Sequence, residues 1–65
     1  MKTYRFECRS TPGGFTEWAS VREDGTEVRR IDRDVWQETV RQFRERVGAQ
    51  LAAEGYTPEE DQYTL

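Results

Sequence analysis

Apolar residues recur along this chain with two periods, and the change from one to the other marks its organisation. Tyr4, Phe6 and Cys8 alternate with Thr3, Arg5, Glu7 and Arg9, which predicts a half-buried strand over 2–9. Ser10-Thr11-Pro12-Gly13-Gly14 then breaks it, because Pro12 lacks an N–H and the glycines open positive φ. Two further strands, 15–23 and 26–31, flank Asp24-Gly25, the dipeptide that suits a type I′ hairpin turn. With Glu23 opposite Thr26, Arg22 falls opposite Glu27, Val21 opposite Val28 and Trp18 opposite Ile31. Val21, Val28, Ala19 and Phe15 then share a face with Tyr4, Phe6 and Cys8. Trp18 is left on the other face, unless a bulge near Gly14 to Ala19 rotates it inward.

From Asp32 the period becomes helical. At 100° per residue Trp36, Val40, Phe43, Val47 and Leu51 form one stripe, predicting an amphipathic helix over 32–54. Asp32 is the expected N-cap, with Ile31 stapled onto Trp36. Gly55 is the expected left-handed residue after the helix, which brings Leu51 against Tyr56, and Pro58 follows. Thr57-Pro58-Glu59-Glu60 reads as a second helix start with a capping box. Tyr63 and Leu65 can latch back onto the core or fray with the terminus. The expectation is one α+β domain, 1–65: a three-stranded antiparallel sheet in β-β-β-α order, the helix across one face, and an acidic turn or tail over 56–65.

Sixty-five residues leave room for only a thin core, so a partner or a second copy is a plausible further source of stability. The chain contains no histidine and Cys8 is its only cysteine, which excludes an intrachain disulfide and a Cys/His zinc site. Cys8 reads as an inward structural thiol rather than a nucleophile. Asp32 with Asp34, and Glu59 with Glu60, read as acids at helix starts rather than a cation site. No enzymatic activity, metal or cofactor is expected. Without an apolar leader or a stretch near the ~18 residues that span a bilayer, the expected setting is cytoplasmic and reducing, away from membranes.

Charge adds an asymmetry to the formal net value of −3. Residues 1–31 hold six basic and five acidic side chains, residues 32–65 four basic and eight acidic. After Arg46 only acids remain: Glu54, Glu59, Glu60 and Asp61, interleaved with Tyr56 and Tyr63. Such a row imitates a phosphate backbone and suits a basic groove on another protein, with Tyr56, Tyr63 and Trp18 as aromatic anchors. Two readings compete with it. Arginines around Trp18 on the sheet face form a nucleic-acid platform, although Glu7, Glu17 and Glu27 interrupt it. Alternatively, an exposed Trp18 beside an open sheet edge closes a homodimer.

A chain this short and acidic, with a small antiparallel sheet, one long helix, no catalytic constellation and the acidic Glu54 to Asp61 end, resembles the small phage-encoded inhibitors of bacterial defence, anti-CRISPR proteins among them. The resemblance implies an inhibitor that binds a larger nucleic-acid-handling complex and masks its nucleic-acid-binding surface without touching nucleic acid itself. The partner-binding residues expected on that basis are Glu54, Tyr56, Glu59, Glu60, Asp61, Tyr63 and Trp18.

Overall fold

The computed structural model describes residues 1–60 in full and the backbone of 62–64. Strands β1 (Lys2–Thr11) and β2 (Gly14–Glu23) pair antiparallel along their whole length, from Lys2 opposite Glu23 to Thr11 opposite Gly14. The breaker cluster therefore makes a tight turn of Pro12 and Gly13, and both strands run longer than their alternation suggested. Gly14, at φ 133°, occupies backbone space that other residues rarely adopt.

β3 (Thr26–Asp32) follows the Asp24-Gly25 turn, in which both residues have positive φ (52° and 82°) as a type I′ hairpin requires. Glu23 faces Thr26 and Arg22 faces Glu27, but Val21 then faces Arg29, so Val28 is an extra residue in β3. This bulge overturns the expected Val21–Val28 and Trp18–Ile31 pairs: Ala19 faces Ile31 and Trp18 faces Asp32. It also reverses two arginines. Arg29 turns toward the helix and Arg30 toward the opposite face, whereas a regular register does the reverse.

Helix α1 is Val40–Ala53, shorter than the expected 32–54. Asp32 is not its N-cap, because the ladder continues through Asp32 and the Arg33 N–H donates to the Glu17 carbonyl (3.1 Å). The cap is Thr39, whose hydroxyl accepts from the Gln42 N–H (3.2 Å) while the Gln42 side chain accepts from the Thr39 N–H (2.9 Å). Thr39-Val40-Arg41-Gln42 is thus a capping box, and it outcompetes the aspartate seven residues earlier because it satisfies two orphan donors at once. At the other end Gly55 (φ 90°) closes a Schellman motif as expected. Its N–H donates to the Ala52 carbonyl (3.1 Å), and the Tyr56 N–H donates to that of Leu51 (2.9 Å).

Thr57 starts no second helix. Thr57–Pro58 forms the short strand β4, parallel to β1 beside Thr3 and Tyr4, and Gln62–Thr64 forms β5, parallel to β1 beside Glu7 to Arg9. The outer edge of β1 supplies backbone partners that an isolated helical turn lacks, and Pro58 is tolerated at an edge. The sheet is therefore mixed, ordered β3-β2-β1 with β4 and β5 beside β1, rather than three-stranded and antiparallel. The α+β class and the placement of the helix on one face hold.

That face carries the core. Phe43, Val47 and Leu51 of α1, spaced by four, bury against Tyr4, Ala19 and Val21, with Phe6, Ile31 and Tyr56 packed around them. The Phe6 ring stands edge-on to both Tyr4 and Phe43, each at 5.7 Å between centroids. Val28 and Phe15, expected inside, are half or more exposed. The bulge extrudes the first. The short helix fails to cover the second, since its ~21 Å falls well short of the ~33 Å of a ten-residue strand.

Candidate interaction surfaces

The acidic end is less uniform than its sequence. Glu54 is the C-cap residue of α1, and its carboxylate accepts from the Gln50 amide (3.2 Å) and the Arg29 guanidinium (3.0 Å). Those two donors, Gln50 foremost, hold its pKa below the usual carboxylate range. Lys2 reaches the Glu54 carbonyl (3.2 Å) and sits 4.5 Å above the Tyr56 ring. Tyr56 is half-buried and its hydroxyl donates to Glu23 (3.4 Å); burial first, then that carboxylate, raises its pKa. Glu54 and Tyr56 are thus tied into the fold where the helix ends. Glu59 and Glu60 are exposed on the β1 edge between β4 and β5, where the Glu59 N–H donates to the Tyr4 carbonyl (2.7 Å). The roles expected of Asp61 and of the Tyr63 and Leu65 side chains lie outside the described residues.

Trp18 lies apart from these, on the sheet face away from the helix. Its indole N–H donates to Glu7 (3.2 Å), and the Arg30 guanidinium lies 4.3 Å from its ring centre. The irregularity falls at Val28 rather than between Gly14 and Ala19, so nothing turns Trp18 inward.

Sequence reasoning placed Trp36 in the core; in the structure it is 93% exposed. It sits in the connection between β3 and α1 beside Val35, also exposed, and that connection is firmly held. The Asp34 carboxylate accepts from the Trp36 N–H (3.0 Å), and its carbonyl accepts from the N–H groups of Gln37 (3.2 Å) and Glu38 (3.0 Å). Arg33 donates to the Glu38 carbonyl (2.9 Å) and pairs with Glu17, a half-buried contact held by charge rather than by an aligned hydrogen bond. Arg46 of α1 grips the Glu38 carboxylate with two donors (2.8 and 3.1 Å), which lowers the Glu38 pKa and raises that of Arg46. Arg33, Asp34 and Glu38, which flank the tryptophan, are therefore engaged within the chain, and Val35 and Trp36 stand outward beside the exposed Asp34 and Gln37. The available sequence signal was the capping box at Thr39, which places Trp36 ahead of the helix.

Among the described residues no three His, Cys, Asp or Glu side chains converge as metal ligands, and no helix is long and apolar enough to cross a membrane. Cys8 is half-buried and free, beside a ≈ 110 Å³ cavity between Phe6, Val40 and Phe43, small against the ~300 Å³ of ordinary ligand pockets. Compared with protein-family models, curated proteins and solved structures, the chain matches none.

Proposed function

We propose that this chain is a non-catalytic protein-binding module, an inhibitor or adaptor that docks on a larger protein with Trp36 as its anchor. The observation that carries the reading is a tryptophan 93% exposed on a loop that hydrogen bonds and ion pairs hold from both sides. Burying such a ring on a partner removes a large apolar surface from water, while the pinned loop has little conformational entropy left to lose. Tryptophan surrounded by satisfied polar groups is the composition of a binding hot spot with its rim. In the finer version of the proposal the partner is a nucleic-acid-handling complex of the kind anti-CRISPR inhibitors bind. Glu59, Glu60 and Asp61 then meet its basic groove, governing encounter rate and orientation more than affinity.

Affinity capture from bacterial lysate tests both versions by comparing the parent chain, Trp36→Ala, and a variant with Glu59→Gln, Glu60→Gln and Asp61→Asn, at low and high salt. Trp36→Ala is expected to lose the partner at every salt concentration. The neutralised variant is expected to retain it more weakly at low salt and much like the parent at high salt, where charge is screened. Equal capture by parent and Trp36→Ala removes the anchor; equal capture by parent and neutralised variant at low salt removes the groove.

A further inference from the structure

The sheet face away from the helix carries a feature that docking through Trp36 leaves unused. Arg9 and Thr11 of β1, Thr16 and Trp18 of β2 and Arg30 of β3 line a groove of ≈ 270 Å³. The strands hold these side chains in register: Arg9 lies directly opposite Thr16, and Arg30 opposite Ser20, one same-face position from Trp18. Arg30 is there only because the bulge at Val28 turns it onto this face. Its Nε donates to Asp32 (2.9 Å) and its guanidinium carbon lies over the indole, which leaves its two terminal nitrogens for a ligand. The Glu7 bond fixes the indole beneath it, and the Thr11 hydroxyl donates to the Gly14 carbonyl (3.2 Å), which fixes the end of the groove.

The local charge runs against that of the chain as a whole. Of the nearest carboxylates, Asp32 is paired with Arg30, and Glu7 accepts from Trp18 and lies 3.7 Å from Arg5. Arg9 is exposed. Two arginines and a threonine that line one groove beside an indole, on paired strands, suit a phosphate group, since charge-assisted forked donors are the strong binders of that anion. The volume is near the lower end of small-ligand sites, about 300 Å³, which suits one nucleotide rather than a wrapped strand.

We propose that this groove binds a phosphate-bearing ligand of nucleotide size. The phosphate bridges Arg9 and the terminal nitrogens of Arg30 with the Thr16 hydroxyl as a further donor, and the planar part lies against the Arg30–Trp18 pair. The site is separate from the Trp36 loop, so either proposal can fail alone. The test is a ¹⁵N–¹H correlation titration of the full chain with inorganic phosphate, adenosine monophosphate and a short oligothymidylate. Expected is a saturable shift of the Trp18 indole N–H and of the Thr16 and Arg30 amides with the mononucleotide, and a weaker response with phosphate, while the Trp36 indole stays still. Arg9→Ala and the longer Arg9→Gln, both at an exposed position, should keep the remaining spectrum and lower the affinity at least about tenfold. No saturable shift with phosphate or mononucleotide overturns the proposal, as does unchanged affinity in both Arg9 variants. A response to the oligonucleotide alone overturns it too, because the groove is then one stop on a strand-binding track.

Discussion

Glu38 is the residue on which most of the local order converges. Its carboxylate receives two donors from Arg46 and the Asp34 N–H (3.3 Å), and its carbonyl receives Arg33. Because Arg46 depresses its pKa in the fold, its contribution to stability is complete above the ordinary glutamate pKa of about 4.3 and is lost as pH falls through the folded value. Glu54, depressed by Gln50 and Arg29, adds a loss of the same sign. Thermal melts of the parent are therefore expected to be level from neutral pH to about 5 and to fall below it. Glu38→Gln should lower the neutral-pH stability and flatten the acid limb; an unchanged limb would mean that the Arg46 contact is absent in solution. Phe43 and Trp36 give the opposite contrast. Phe43→Ala empties the centre of the core, 1% exposed, and is expected to cost about 3–5 kcal/mol, enough to unfold so small a domain. Trp36→Ala should stay within about 0.5 kcal/mol of the parent in urea or heat. Both residues were legible as one helical stripe; periodicity cannot tell where along a stripe the helix begins, and so it assigned Trp36 to the core.

At the scale of elements, the strands, the Asp24-Gly25 turn and the Schellman ending were readable because each depends on residues within a few positions of one another. The helix start was readable too, but in a different tetrapeptide: Thr39→Ala should cost about 1 kcal/mol and Asp32→Ala at most a few tenths, since only the first removes a cap. Equal losses in denaturant would return the cap to Asp32. The bulge and the parallel edge were not readable. Val28 carries no glycine or proline to mark it as an extra residue, and Thr57-Pro58 becomes a strand only because β1 has a free edge beside it, a fact of tertiary structure. Of the expected contact residues, Glu59 and Glu60 are exposed, while Glu54 is engaged by an arginine that the bulge delivers.

At the scale of the molecule, the two surfaces proposed to meet a partner follow strands at opposite edges of the sheet. The Trp36 loop leaves the end of β3, whereas Glu59 and Glu60 follow β4 on the far side of β1, and those two strands are about three strand spacings or ~14 Å apart. A partner engaging both must reach across the helix or the sheet; one engaging Trp36 alone binds with little dependence on salt. Either arrangement requires that Trp36 stand outside the core in the free protein. The most direct measurement is the fluorescence of dilute Trp18→Phe protein, in which Trp36 is the sole tryptophan, with acrylamide as quencher. The emission is expected to match that of a fully hydrated indole and to be quenched almost as readily as the free amino acid, while circular dichroism reports an intact fold. A blue-shifted, quencher-resistant emission at low concentration would place Trp36 in the core, extend the helix back toward Asp32, and leave the proposed interaction without its anchor.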